Sequence, residues 1–490
     1  MLRHKWLLVA IALVAMGVRL IHIDQPFVDN WSWRQSDVAA IARNFEQNGF
    51  HFARPQIDWA GNAEGYVGTE FPVLPFLAAL SYKCIGVQEW IGRSQALVFF
   101  AASLPFFYLL VRDLFGRTAA VWSVFFLSFA PLSIVAGRAF MPDIPSLSLA
   151  LVGMYFFERS IRRDEGASLW VSAFLLSVSL LIKLPSAVIG APFFYVAWQR
   201  YGFRLFREPR LWLFALIVLV PPAAWYWHAH QIANQFYPHH FFGAGGVRIM
   251  SASWYWKIAA QTSGSTLTPV LLVLAVAGAW AMGRTSNALI FHWWFAAMLA
   301  FIFVVGWGNR HQWYQLPLVP IAAIYAGYAA ARWQQKFGSR RLAAAAGAVL
   351  IIVAFGALSF LAARPFYAPV ARELRELGFE LRAITSPDAL IVAADNGDPT
   401  VFYYAERKGW HFTEDEGIYY GEPSDNAQAI SDLDNLRRHG ANYLVFTSGT
   451  RWWLDYYAEF AEHVSRNAAV VRETDHFLIY RLNPIARATP

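Results

Sequence analysis

The sequence predicts a polytopic α-helical membrane protein of about eleven transmembrane helices, followed by a C-terminal soluble α/β domain. Three observations predict it. The 490 residues are 57% hydrophobic and only 15% charged, where a soluble chain carries roughly 25% charged residues. Apolar runs of near-bilayer length recur along the first three quarters of the chain. Beyond Arg364 the composition changes, as Asp, Glu, Asn and Gly rise and apolar runs shorten to strand length. Aromatic residues make up 17% of the chain, as expected where many helices end in interfacial belts. The single cysteine, Cys84, excludes a disulfide scaffold and Cys-rich metal sites. The net charge of +7 is spread over short loops, so it does not point to nucleic acid.

The first run, Trp6 to Ile21 behind Arg3, His4 and Lys5, has the look of a signal peptide, and Ala15-Met16-Gly17 offers a small-x-small site. That site lies inside the apolar run and Arg19 follows at once, so an uncleaved anchor is expected. Further runs follow at Ala96–Val111, Ala119–Ala136, Ile144–Phe157, Leu169–Ile182, Ala187–Trp198 and Leu211–Trp225. Four more lie at Leu267–Met282, Ala288–Val305, Leu316–Ala331 and Leu342–Ala362. Basic residues mark every second loop: Arg112 and Arg117, then Arg159, Arg162 and Arg163, then Arg200, Arg204, Arg207 and Arg210, with Arg284 and the Arg332 to Arg341 group beyond. These loops are expected to be cytoplasmic, placing the N-terminus inside and the C-terminus outside the cytoplasmic (inner) membrane.

Val73–Ile85 is apolar but about 13 residues long and contains Pro75, short of the roughly 17 residues needed to span. A crossing there would also turn the basic loops outward. It reads as a re-entrant or interfacial helix, making residues 24–93 one long outer loop. The expected domains are thus 1–364, membrane, and 365–490, extracytoplasmic. In the tail, strands are expected at Ala389–Ala394, Tyr443–Thr447 and Phe477–Leu482, with helices at Val370–Ile384, Ala427–His439 and Trp452–Val464. There is no GxGxxG or Walker motif.

Polar residues near membrane depth are functional candidates. The outer loop carries Asp29, Arg34 and Asp37, and the spacing of Val38, Ile41 and Phe45 reads as an amphipathic helix lying on the membrane, with Asp37 in its first turn or at its cap. Glu70-Phe71-Pro72 opens the re-entrant segment, Arg138 to Asp143 stands at one helix junction, and Lys183-Leu184-Pro185 at another. Taken singly, Asp143 reads as a helix-start carboxylate and Lys183 as a snorkelling base; their convergence favours a site. The next loops add His239, His240 and Arg248, then Asn309, Arg310, His311, Trp313 and Tyr314. Glu70 with His239 and His240 would make a divalent-metal set, against ordinary interfacial histidines; no cofactor is otherwise called for. In the tail, His411, Asp415 and Glu416 read as surface residues. Carboxylates, Arg and Lys beside membrane helices suit a lipid-borne phosphate, with a carboxylate as general base for an acceptor hydroxyl attacking an anomeric carbon, inverting it.

Four stretches resemble the GT-C glycosyltransferases of the protein O-mannosyltransferase and aminoarabinose transferase type. They are Trp33-Arg34-Gln35-Ser36-Asp37 leading to Ile41-Ala42-Arg43-Asn44-Phe45, Glu70-Phe71-Pro72 with Phe76-Leu77, Arg138 to Asp143, and Tyr314 to Pro320. The resemblance covers residues 1 to about 365. It implies a polyprenyl-phosphate-linked sugar as donor, used on the outer face of the membrane, with a glycan, lipid or protein as acceptor. Where the family's best-known members have an Asp-Glu pair, this chain has Arg34-Gln35, so the carboxylate role passes to Asp37, with Asp29 in reserve. Phe71 stands where aminoarabinose transferases carry a Lys, leaving phosphate contact to Lys183, Arg248 or Arg310. Asp143 and Glu70 support the site, and Arg34, Arg138, His311 and Tyr314 join the substrate contacts. The rival reading is a flippase that moves the same lipid-linked sugar without breaking its sugar bond, although inverted repeats, a transporter signature, are not evident.

Overall fold

The structure, a computed structural model, describes residues 2–241, 246–308, 310–337, 339–415 and 418–484. The chain folds into two compact units: Met1–Ile23, Arg93–Tyr226 and Gly243–Pro365 form one, and Asp24–Gly92, Trp227–Phe242 and Phe366–Pro490 form the other.

The first unit is helical. The apolar runs read from the sequence are largely helical, but only some helices are long and apolar enough to cross a bilayer. Among the described residues four qualify, including Glu89–Phe115, Pro209–Gln235 and Ser286–Val305, and a fifth is added if the pair Ala252–Thr266 and Pro269–Met282, bent by 103°, counts as one span. The run Ala119–Ala136 is broken: Arg117–Phe129 and Pro131–Ala136 meet at the extended Ala130, because the residue before a proline is pushed out of the helical region. The Arg19 guanidinium fills this break, donating to the carbonyls of Ser128 and Ser133 at 3.0 and 2.9 Å and lying 3.8 Å from the Phe100 ring centroid. Small residues set the helix contacts, as is usual where lipid removes any hydrophobic drive between helices. Ser146 bonds Ser179 and Ser186, joining Asp143–Arg163 to Gly166–Ile182. A side chain at Gly278 would press within 1.8 Å of the Tyr325 carbonyl oxygen.

The second unit is α/β. Among the described residues its strands are β1 (Ile391–Ala394), β2 (Gly409–His411), β3 (Glu414–Asp415), β4 (Ile418–Tyr419), β5 (Tyr443–Thr447), β6 (Ala468–Glu473) and β7 (Phe477–Leu482). Five form a mixed sheet in the order β2-β1-β5-β7-β6, while β3 and β4 make a separate two-stranded sheet. Strands β2, β1 and β5 are parallel; β5, β7 and β6 are antiparallel. Central β1 is buried throughout, as its apolar run requires. The helix Asn426–Arg438, capped by Asp425 accepting from the Gln428 N–H, turns Ala429, Leu433 and Leu436 into the core beside Trp453 and Phe460. The segment Trp452–Val464, expected as one helix, divides at Tyr457 into Trp453–Tyr456 and Ala458–Asn467.

In the same unit, the helix Ser32–Asn48 packs against Val73–Ile85 and Thr400–Ala405. It is buried from Arg34 through Phe45, so it is an interior helix and not the membrane-surface helix expected from Val38, Ile41 and Phe45. Its polar residues meet partners at this depth: Arg43 donates to Asp58 and to the Tyr403 carbonyl, both at 2.5 Å, Asn44 donates to Asp58 at 2.9 Å, and Ser36 shares a hydrogen bond with Thr400 at 2.9 Å. Backbone bonds from Gly61 N–H to the Gly409 carbonyl (2.6 Å) and from Gly409 N–H to the Asp58 carbonyl (3.1 Å) tie the 58–61 loop to the start of β2. Gly61, at φ +55°, leaves room for the Trp410 indole, which a side chain there would strike at 1.9 Å. Replacing Arg43 with Met strands the buried Asp58 carboxylate and should cost roughly 3–5 kcal/mol; denaturant unfolding of the purified protein measures the loss.

Candidate functional site

The site candidates read from the sequence fall in both units. Asp29, Arg34, Asp37, Glu70, His239 and His240 lie in the α/β unit, and Arg138, Asp143, Lys183, Arg248, Arg310, His311 and Tyr314 in the helical one. Asn309 and Glu416 lie outside the described residues.

In the α/β unit, the helix begins at Ser32, so Asp37 stands in its second turn and caps nothing. The carboxylate that serves the helix start is Asp29, which accepts from the Trp31 N–H at 3.2 Å and from the Gln35 amide at 2.7 Å. Asp37 is 3% exposed and accepts from the Trp59 indole N–H at 2.9 Å. One turn back, Arg34 donates to both oxygens of Glu70 at 2.7 Å, and Thr69 adds a third bond to Glu70 at 3.0 Å. Burial pushes the Asp37 carboxyl up to about 6, against the opposing pull of Arg34, the Trp59 N–H and His411. That is where a general base for neutral pH belongs.

His411, expected on the surface, is buried at 5% exposure and pairs through Nδ1 with both oxygens of Asp395, at 2.8 and 2.9 Å. The sheet makes this pair. Parallel register sets His411, the last residue of β2, opposite Ala393, and Asp395 follows the end of β1. Such carboxyl ends of parallel strands are where open α/β sheets place their sites. Burial works against the imidazolium, but Asp395, Asp37 and Asp398 together hold it above the usual imidazole range. Asp398 accepts from Ser32 at 2.7 Å and from the Thr400 N–H at 3.0 Å. The Trp59 ring stands 5.2 Å from both His411 and His240. The one signal in the sequence for this group was the Asp395-Asn396-Gly397-Asp398 turn after an apolar strand.

The expected metal set does not assemble. Among the described residues no three His, Cys, Asp or Glu side chains are placed to hold a metal ion. Consecutive side chains diverge: His239 is exposed, with Nδ1 against the Ala233 carbonyl at 3.1 Å, while the His240 ring faces Trp59. Glu70 is engaged by Arg34. Burial, with the charges of Arg34 and His411, pushes His240 down to about 4, leaving it neutral at pH 7.

In the helical unit, Asp143, the first residue of its helix, and Lys183, which ends Gly166–Ile182, face each other at 3.7 Å with side chains each 6% exposed. The Lys183 ammonium lies 4.9 Å from the Tyr314 ring centroid, and all three line one cleft with Trp313 and Pro185. Neither the simple capping nor the simple snorkelling reading describes this pair. A polar network holds the loop beneath Tyr314: Gln315 accepts from Thr262 and Thr266 at 2.9 and 2.7 Å, and Gln312 donates to Ser265 at 2.8 Å. Arg248 and Arg310 are exposed, and both stack on Trp307, at 4.9 and 5.2 Å. His311 stacks on Trp313 at 4.5 Å. Arg138 is buried and donates to the His22 carbonyl at 2.7 Å, a fold contact and not a solvent-facing one.

Residues 69–227 match the family described as Dolichyl-phosphate-mannose-protein mannosyltransferase. No curated protein sequence matches the chain. Among solved structures, ArnT from Cupriavidus metallidurans in the apo state superposes with a TM-score of 0.67 at 17% identity, over 98% of each chain. The same protein bound to undecaprenyl phosphate gives 0.66 at 16% identity, over 96% of this chain and 97% of that one. The oligosaccharyltransferase of Archaeoglobus fulgidus in the apo form gives 0.62 at 12% identity, over 99% of this chain and 75% of that one. This chain shares the fold of ArnT along its length, the GT-C architecture that the four stretches of sequence led one to expect.

Proposed function

We propose that the chain is an integral-membrane glycosyltransferase that moves a sugar from a polyprenyl-phosphate donor to a hydroxyl of a glycan, lipid or protein acceptor. The observation that carries this reading is Asp37, a buried carboxylate pushed up to about 6 and oriented by the Trp59 N–H, in a chain of GT-C fold. Asp37 takes the proton of the acceptor hydroxyl as its oxygen bonds to the anomeric carbon. The bond from that carbon to the phosphate oxygen breaks, polyprenyl phosphate leaves with the electron pair, and the single displacement inverts the centre. Glu70 holds Arg34 one turn from the base, and Asp29 secures the helix start through Gln35. Taken by itself, the helical unit offers Lys183, steadied by Asp143 and Tyr314, as the candidate for contact with a lipid phosphate, and Arg248, Arg310 and His311 as candidate substrate contacts. No metal is assigned a role.

Two solved relatives support the donor class by what they hold: ArnT carries undecaprenyl phosphate, and the Archaeoglobus fulgidus enzyme AglB carries dolichol-phosphate and an inhibitory peptide. The alternating basic loops support the cytoplasmic membrane, with the site and the C-terminal domain on its outer face.

Asp37→Asn should reduce transfer by about 10²–10⁴-fold with the fold and donor binding kept. Mass spectrometry of lipid extracts and surface glycans then finds accumulated polyprenyl-phosphate sugar and a glycan or protein lacking one sugar. Unchanged lipid-linked sugar with complete glycans would sink the reading, and donor trapped on the cytoplasmic side would make the protein a flippase. Because the base must be ionised, kcat/KM should rise with pH through about 6; a profile flat across that range removes Asp37 as the base. Lys183→Ala should weaken binding of polyprenyl phosphate at least about tenfold in a direct binding assay.

A further inference from the structure

We propose that His411, held by Asp395, is a positioning residue for Asp37: through the shared Trp59 indole, the tail's buried histidine sets the charge and placement of the base on the first-loop helix. The inference rests on the reading of Asp37 as base. The geometry comes from the sheet. The Asp395 side chain is fully buried and engages His411 Nδ1 through both oxygens at 2.8 and 2.9 Å, which settles the ring's orientation and leaves Nδ1 protonated. Three rings enclose the imidazole: Trp59 at 5.2 Å, Phe402 at 5.3 Å and Tyr419 at 5.7 Å. Trp59 is the shared element, since the same indole that packs on His411 donates its N–H to Asp37 at 2.9 Å.

The charges around the two groups come from four places in the unit. Asp37 feels Arg34 from its own helix, His411 from β2 and Asp398 from the turn after β1. His411 feels Asp395, Asp37 and Asp398. Half-buried His240, neutral, also packs edge-on against Trp59 and feels the charges of Arg34 and Glu70. Arg34, the stronger of the two cations acting on Asp37, is also bonded to Glu70, whereas His411, the second, is held by the tail carboxylates Asp395 and Asp398. A positive charge on His411 favours the ionised form of the Asp37 carboxylate. With His411 made neutral, Asp37 would hold its proton to higher pH and fail as base near neutrality. His411 touches no reacting atom in this scheme.

The test uses the full-length chain in detergent. The pH profile of kcat/KM is measured for the wild type and for His411→Gln, which keeps a hydrogen-bonding group against Asp395. The expected result is an acid limb moved up by about one pH unit, with the rate at high pH largely restored. On the limb itself that is about tenfold in rate. A uniform loss at every pH, or an unmoved limb, overturns the proposal, because a merely structural role lowers the plateau without moving the limb. Should His411→Gln fail to fold, Asp395→Asn replaces it; losing that carboxylate lowers the imidazolium population and moves the limb the same way. A second measurement is independent of activity. Carbon-13 labelled histidine, with the His411 signal assigned by its loss in His411→Gln, is titrated by NMR in the wild type and in Asp37→Asn. A lower His411 midpoint in Asp37→Asn supports the coupling, and an unchanged midpoint overturns it. If Asp37→Asn transfers sugar normally, the base assignment fails while the titration still decides whether the two groups are coupled.

Discussion

The α/β unit is organised by one constraint, the cost of keeping ionised side chains away from water. The helix Ser32–Asn48 is buried from Arg34 through Phe45, yet it carries Arg34, Asp37 and Arg43. A desolvated charge persists only with a partner of matching geometry. The partners come from several parts of the unit. Glu70 meets Arg34 from the segment before the short apolar helix, Asp58 meets Arg43 and Trp59 meets Asp37 from the intervening loop, and the charge of His411 acts on Asp37 from the sheet. The buried helix and these segments therefore depend on one another, so charge pairing and tertiary fold are one problem.

The pairs divide by chemistry. Arg43 with Asp58 and Asn44 is saturated by bonds to the protein and behaves as a structural clamp, reinforced by the Tyr403 carbonyl. Asp37 is different. Its contacts are an indole N–H and neighbouring charges, an arrangement that holds a carboxylate without neutralising it. A carboxylate pushed up to about 6 by burial can both lose and regain a proton near neutrality. The helical unit repeats the theme at smaller scale. Lys183 and Asp143 are paired at the ends of two helices, with an aromatic ring against the ammonium in place of water.

The parallel part of the sheet supplies what the first loop lacks. Strands β1 and β2 end side by side, so residues 16 apart in sequence, Asp395 and His411, become hydrogen-bonded partners. The turn after β1 adds Asp398, which also accepts from Ser32 at the start of the buried helix. Gly61 lets the 58–61 loop close over Trp410, carrying Trp59 to the same place.

Much of this was legible in the chain itself. Composition and apolar runs gave the helical class, the change past Arg364 gave a small α/β fold, and motif spacing singled out Arg34, Asp37 and Glu70, which the structure gathers in one unit. These signals are local: helix and strand periodicity, and polar residues where hydropathy forbids them. Breaks such as that before Pro131 were also inherent in the sequence, although the run around it hid them. What only the tertiary structure decided was which distant residues share an environment. The burial of His411, its pairing with Asp395, the divergence of His239 from His240 and the turning of Arg138 to a backbone carbonyl all depend on strand register and on which loops fold together. Periodicity measures distance along the chain, whereas desolvation and Coulomb attraction act through space, so the electrostatics of Asp37 could not be read until residues 24–92, 227–242 and 366–490 were known to form one unit.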